Sequence, residues 1–187
     1  DGFVASFADH SQLPIPRKSP HAVCCLPPLD QTPQGLGAMV LDHCLGRHIL
    51  LVGPRGCGKT WLAQHFARAV GMSPPITVQL YEDLGSRELL QKRATLDNGD
   101  TIWVNSPVID VALNGGCVVL DGVDQMKSGM LASLKRLVED GEVDLPDGSH
   151  LVSLKRWNVL KEKSSEARLK ELNIRPVHAA FRIVAIG

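Results

Sequence analysis

One short segment constrains this chain more than any other. Residues 53–60 read Gly-Pro-Arg-Gly-Cys-Gly-Lys-Thr and directly follow the apolar run 48–52. Glycines in such a loop let successive backbone N–H groups point inward at phosphate oxygens. The Lys59 ammonium can reach the β- and γ-phosphates, and the Thr60 hydroxyl can ligate Mg²⁺. A helix that begins at Lys59 directs its positive end at the same anion.

This loop predicts a phosphate-binding site. The predicted nucleotide-binding residues are Gly53, Pro54, Arg55, Gly56, Cys57, Gly58, Lys59 and Thr60. The context agrees with the mechanism, because a buried strand precedes the loop and an amphipathic helix pattern follows it. The alternative interpretation is a glycine-rich turn that binds no ligand. Cys57 fills the loop as a small residue, and if exposed its thiol could also be oxidised.

An acidic residue ends a second apolar strand. Residues 117–120 read Cys-Val-Val-Leu, and Asp121 follows them. In phosphate-loop enzymes an aspartate in this setting holds Mg²⁺, here through a water molecule. We therefore predict Thr60 and Asp121 as the metal-binding residues. The alternative is an aspartate that only caps a turn at the end of the strand.

Strand and helix patterns alternate after residue 46, which predicts an α/β fold with a parallel core sheet and helices on both faces. The predicted strands are 48–52, 76–80, 117–120 and 181–186. The first is a short continuous apolar run, typical of a strand buried on both faces. Residues 1–45 hold six of the twelve prolines, and they predict a proline-rich lead-in that ends in a short helix at 34–45. The domain boundaries are therefore 1–45 and 46–187.

Two β-hairpins are predicted as insertions in this fold. The first covers 94–104 and turns at Asn98-Gly99, a pair typical of a type I′ turn with two positive φ angles. The second covers 142–153 and turns at 146–148.

Helix boundaries can also be read from the sequence. Ser106 followed by Pro107 predicts a helix start, because serine caps the first turn and proline suits the first helical position. Ser86 is predicted to cap a short helix through residue 90, and residues 154–172 to form one charged helix.

Composition excludes several kinds of partner and site. Lys and Arg number 20, as do Asp and Glu, so the formal net charge is zero and no bulk attraction to nucleic acid or anionic membrane is expected. No apolar run approaches the ~20 residues of a membrane span.

Five cysteines without a Cys-x-x-Cys pair indicate neither a disulfide framework nor a zinc site, and reduced thiols fit an intracellular compartment. Cys24, Cys25, His43, Cys44 and His48 also lack metal-ligand spacing. A targeting peptide could have preceded Asp1.

Residues 53–60 followed by 118–121 resemble the Walker A and Walker B pair of AAA+ ATPases, and the two hairpins resemble the helix-2-insert branch with MoxR-like, midasin and dynein-related modules. Segments 80–83, 89–93 and 98–101 resemble one module of a multi-module protein of this branch. The resemblance implies the strand order 1-4-3-2, ATP and Mg²⁺ as cofactors, and residues 29–37 as a cover for the adenine. It also implies other AAA+ modules of the same chain or a ring oligomer, a protein client and a mitochondrial location.

The resemblance fails at one catalytic position. AAA+ enzymes usually have a glutamate after the Walker B aspartate, and this chain has Gly122. Asp124 is a candidate general base, although its position is shifted; the alternative is a loop or helix-capping aspartate. The chain also stops at Gly187, within the strand whose end normally carries the γ-phosphate sensor, so we expect a C-terminally truncated module.

Two functions fit this pattern. The first is an ATP- and Mg²⁺-binding module of a larger ATPase that remodels a protein partner. The second is a regulatory module that binds ATP without hydrolysing it and holds an assembly together. A small phosphate-loop phosphotransferase or GTPase fits poorly, because the chain has no Asn-Lys-x-Asp guanine motif and the two hairpin insertions are hard to place in such a fold.

Overall fold

The computed structural model describes residues 3–6, 12–15, 32–85, 88–127, 129 and 131–187. These residues form two compact units. The first unit comprises the described residues up to Gln79 together with Gly116–Val123 and Arg182–Gly187. The second comprises the described residues of Leu80–Gly115 and Asp124–Phe181.

The described residues form short helices and strands. The helices are α1 (Thr32–Cys44), α2 (Lys59–Ala69), α3 (Pro107–Asn114), α4 (Ala132–Glu139), α5 (Leu154–Lys163) and α6 (Glu166–Glu171). The strands are β1 (Phe3–Ser6), β2 (Gln12–Ile15), β3 (Ile49–Leu51), β4 (Ile76–Gln79), β5 (Gln91–Thr95), β6 (Thr101–Asn105), β7 (Gly116–Asp121), β8 (Val143–Asp144), β9 (His150–Val152), β10 (Ile174–Pro176) and β11 (Phe181–Ile186). None of the described helices is long and apolar enough to cross a membrane.

A four-stranded sheet in the order β3-β11-β7-β4 forms the centre of the first unit. Strand β3 runs parallel to β11, and β4 runs parallel to β7. Because these strands follow one another in the chain as β3, β4, β7 and β11, the predicted order 1-4-3-2 is confirmed. The predicted α/β fold with a parallel sheet is confirmed with it.

Helices α1 and α2 supply the apolar side chains that cover this sheet. The buried core consists of Met39, Val40, Ile49, Ala63, Phe66, Ala67, Cys117, Val119, Val184 and Ile186. Strand β7 is buried on both faces, as its apolar run predicts, since Val118 and Leu120 are buried as well. The first predicted strand is present as β3, but the prediction that it is buried on both faces was wrong. Leu50 is 61% exposed and Val52 is 77% exposed, because β3 lies at the edge of the sheet and only its Ile49 face packs against the core.

The first hairpin of the second unit pairs β5 with β6 in antiparallel register. Its turn differs from the predicted type I′ geometry. Gly99 has a φ of 86°, whereas Asn98 has a negative φ, and Gly99 N donates to Leu96 O at 2.9 Å. Leu96 N also donates to Asp100 O at 2.8 Å, which closes a three-residue loop. A loop of this length uses one left-handed glycine and leaves the asparagine in ordinary conformation.

The second hairpin pairs β8 with β9, and β10 adds a parallel strand that the sequence patterns did not predict. The predicted helix 154–172 is wrong as a single element. It is divided into α5 and α6, because Ser164 is extended and the Ser165 hydroxyl accepts a hydrogen bond from Arg168 N, which starts a new helix. Ser86 lies outside the described residues, and residues 88–90 form a turn rather than the predicted helix.

Helix α3 begins where the sequence predicts. The Ser106 hydroxyl accepts from Ile109 N at 3.3 Å, and Pro107 occupies the first helical position. The same hydroxyl donates to Leu89 O at 2.7 Å, so this buried cap also fixes the preceding turn.

Candidate nucleotide-binding site

The phosphate loop connects the end of β3 to the start of α2. Gly56 and Gly58 have φ angles of 83° and 89°, and no heavy atom lies within 4 Å of the position a Cβ would occupy at either one. Gly58 is the N-terminal cap residue of α2 and accepts a hydrogen bond from Leu62 N at 2.8 Å. The loop is therefore curled and open at Gly56 and Gly58, as a backbone cradle for phosphate requires.

The Lys59 side chain folds toward the start of this loop and contacts its backbone. Its Nζ donates to Gly53 O at 2.5 Å and to Pro54 O at 3.0 Å. An ammonium group has three donors on a flexible stem, so the same side chain can turn toward a phosphate oxygen. Thr60 follows in the first turn of α2 and is half-buried.

The carboxyl ends of the core strands lie side by side. Gly187 N donates to Leu51 O at 3.1 Å, which joins the ends of β11 and β3. Gly122 N donates to Ile186 O at 3.0 Å, which joins the ends of β7 and β11. Since the phosphate loop leaves β3 at this edge and Asp121 ends β7 there, the structure brings the loop and Asp121 to the same edge of the sheet. Ligands of open α/β sheets bind at this edge.

Asp121 has a partner that sequence reasoning missed. Gln79 ends β4 in direct register with Asp121, and its Nε2 donates to Asp121 Oδ2 at 3.3 Å. This bond leaves the other carboxylate oxygen available to accept from water. No sequence signal identifies Gln79, because the contact depends on strands 42 residues apart.

The chemistry of these groups fits a nucleotide with Mg²⁺. A glycine cradle, an ammonium group, a hydroxyl and a carboxylate are the donor set for such a ligand. Lys59 would hold phosphate oxygens, Thr60 the metal ion, and Asp121 a water molecule on that ion.

Gly122 has a backbone conformation that side chains rarely adopt. Its φ is 91° and it is buried, while its N–H is fixed to Ile186 O. A residue with a Cβ would be strained here. The local backbone therefore favours glycine. A glutamate at this position would need a different backbone conformation as well as a different side chain.

Asp124 belongs to the second unit. It is exposed within the short 3₁₀ turn Val123–Gln125. Close to it in sequence, Lys127 Nζ pairs with Glu82 Oε1 at 3.2 Å and with Asp83 Oδ1 at 3.6 Å. Its role as a general base stays a prediction.

A second group of polar residues lies at the opposite ends of these strands. Arg182 is buried, and its Nη2 donates to His43 O at 2.7 Å. Burial, with a smaller effect of Arg182, lowers the pKa of His48 to about 4, and the His48 Nδ1 accepts from Ile183 N at 3.0 Å. Burial also raises the pKa of the Cys117 thiol to about 12, so this thiol is unreactive.

No cluster of three metal-ligating side chains occurs among the described residues. Cys24 and Cys25 lie outside them.

The fold and the loop define a class of protein. A family model described as the AAA domain of the dynein-related subfamily matches residues 48–187. The chain belongs to this family, and the predicted resemblance to the MoxR, midasin and dynein-related branch is confirmed.

Individual relatives agree with this assignment. The chain is 43% identical over 156 residues to von Willebrand factor A domain-containing protein 8 from Mus musculus, covering 82% of this chain and 8% of that protein. It is 33% identical over 113 residues to Protein NorQ from Paracoccus denitrificans (strain Pd 1222), covering 59% and 41%. The chain thus spans less than half the length of either relative.

A solved structure shares the fold. The crystal structure of a proposed ATPase from Cytophaga hutchinsonii superimposes with a TM-score of 0.54 at 18% identity, covering 83% of this chain and 38% of that one. At this identity the likeness supports the fold alone.

Proposed function

We propose that this chain binds ATP with Mg²⁺ through the phosphate loop 53–60 and Asp121, within a partial AAA+ nucleotide-binding domain of residues 46–187 that follows the lead-in 1–45. The observation that carries the proposal is the placement of an open glycine cradle and Asp121 at one edge of a parallel sheet. The bound metal ion would offset phosphate charge, while the chain itself supplies backbone N–H groups, the Lys59 charge and the Asp121 carboxylate.

The binding proposal is tested at Lys59. Lys59→Ala removes charge-assisted contacts to phosphate, each worth roughly 1.5–3 kcal/mol, and should weaken ATP binding about tenfold or more. Lys92→Ala is a matched control, because Lys92 is an exposed residue of β5 in the other unit. Calorimetric titration of ATP in the presence of Mg²⁺ measures both variants. A folded Lys59→Ala protein with unchanged ATP affinity would refute the assignment.

We further propose that the module is part of a larger ATPase whose nucleotide state is coupled to remodelling of a protein client. Family membership and the exposed tip of the first hairpin support this role, and other AAA+ modules or a ring oligomer are the expected assembly partners. A mitochondrial location, implied by the resemblance, belongs to the same proposal and can be tested by imaging the tagged full-length protein.

A non-hydrolysing role is the second candidate function, and Gly122 favours it. General-base assistance contributes typically 10²–10⁴-fold to such reactions, and Gly122 has no carboxylate to provide it. ATP should therefore bind and persist. Single-turnover assays with labelled ATP decide between the two functions. Turnover of about 1 s⁻¹ that disappears in Asp124→Asn would contradict the non-hydrolysing role and identify Asp124 as the base.

A further inference from the structure

The first strand of the first hairpin contains a buried amide. Gln91 begins β5 and is only 2% exposed, in a strand that is otherwise largely open to solvent. Burying an amide is unfavourable unless its donors and acceptor find partners. The position of those partners shows what the side chain connects.

Two of the three hydrogen bonds of the Gln91 side chain join the base of the first hairpin to the second hairpin, and the third closes the first hairpin's own base. Its Nε2 donates to Asn105 Oδ1 across the hairpin and to Asp147 Oδ2, both at 2.9 Å. Its Oε1 accepts from Asp147 N at 3.0 Å. Gln91 and Asp147 therefore form a two-point contact between residues 56 positions apart.

Asp147 is in turn the organising residue of the second hairpin's turn. Its Oδ1 accepts from Ser149 N at 2.8 Å and from Ser149 Oγ at 2.6 Å. Burial alone would raise the pKa of Asp147, but hydrogen bonds from Ser149 and Gln91 outweigh it and lower the pKa. The carboxylate is thus ionised when it accepts these bonds, which strengthens them.

The same network continues to the helix that follows the first hairpin. Asn105 Nδ2 donates to Asp110 Oδ1 of α3 at 3.0 Å. By contrast, the far end of the first hairpin extends into solvent, with Leu96 44% and Ile102 41% exposed. The bonded base and the exposed tip belong to one short hairpin.

We propose that the two hairpins act as one mechanical body, joined by the Gln91–Asp147 contact, so that displacement of the exposed tip of the first hairpin is transmitted to the turn of the second. The hydrogen-bond network favours this behaviour, because separating the hairpins would leave the buried Gln91 amide without its Asp147 partners. Neither hairpin can then open at its base independently of the other. This inference goes beyond nucleotide binding and does not depend on it.

Hydrogen exchange measured by mass spectrometry tests the coupling through reciprocity. Gln91→Leu should raise amide exchange more than tenfold at residues 145–149, which lie on the other hairpin. Asp147→Ala, at an exposed turn position and thus less disruptive to the fold, should raise exchange by a similar factor in β5 and β6. Arg93→Leu is the matched control. It removes the Arg93 guanidinium from its position 4.8 Å from the Trp103 ring centroid on the same hairpin and does not touch the contact with Asp147.

The outcomes are distinct. Reciprocal acceleration in both variants, with residues 145–149 unchanged in Arg93→Leu, supports the single body. Acceleration confined to the substituted hairpin overturns it. ATP affinity should stay within about twofold of the unmodified protein in all three variants, since the phosphate loop belongs to the other unit. Failure of ATP binding in the unmodified chain would contradict the proposed function and leave the exchange result interpretable.

Discussion

Mild acid should destabilise this fold through His48 before most carboxylates are protonated. The imidazole precedes β3, and its Nδ1 accepts a hydrogen bond from Ile183 N of β11 at 3.0 Å. Protonation converts this acceptor into a donor, so the bond between these neighbouring strands is lost. Burial and the nearby Arg182 charge both oppose the cationic form, which lowers the pKa to about 4 from an ordinary value of 6.5.

The direction and size of the effect follow from this difference in pKa. Between pH 6.5 and about 4 the unfolded chain binds a proton that the folded chain does not, so stability falls as pH falls through this window. The full effect is at most about 3 kcal/mol, and about 2 kcal/mol is lost between pH 7.5 and pH 5. His43, whose pKa is also lowered by burial and by Arg182, acts in the same direction.

Urea unfolding at pH 7.5 and pH 5 measures the effect. His48→Asn is the informative variant, because its amide oxygen can accept from Ile183 N but does not titrate. We expect the variant to lose clearly less stability than the unmodified protein between the two pH values. Asp144 and Asp147 have lowered pKa values, so they change the free energy of unfolding mainly below pH 4. They therefore have little effect on the comparison between pH 7.5 and pH 5. An equal loss in both proteins would refute the assignment to His48.

Three further outcomes are expected. Asp121→Asn should reduce the gain in ATP affinity that Mg²⁺ confers while affinity without Mg²⁺ is retained; calorimetry with and without the metal checks this, and an equal loss in both would indicate a structural role. Ser106→Ala should lower the free energy of unfolding by about 1 kcal/mol in urea titrations, because the α3 cap is lost. Gly122→Glu should lower it by about 1–3 kcal/mol through backbone strain, and a variant as stable as the unmodified protein would contradict the positive φ of 91° at this position.

The sequence by itself determined those features whose causes lie within a few neighbouring residues. The phosphate loop could be predicted because a strand, a glycine pattern and a helix start occur together in 48–60. The start of α3 could be predicted because Ser106 and Pro107 cap the helix locally. The buried strand β7 could be predicted because its apolar residues are adjacent in the sequence. The strand order came from the family resemblance, and the structure agrees with it.

The tertiary structure decided the features that depend on distant residues or on the surroundings of a segment. The apolar run at β3 resembles that of β7, yet its edge position leaves Leu50 exposed. The partner of Asp121, the contact between Gln91 and Asp147 and the lowered pKa of His48 all require strands far apart in sequence to meet. Local preferences are encoded in adjacent residues, whereas burial and long-range hydrogen bonds are set only when the packed chain places particular side chains together.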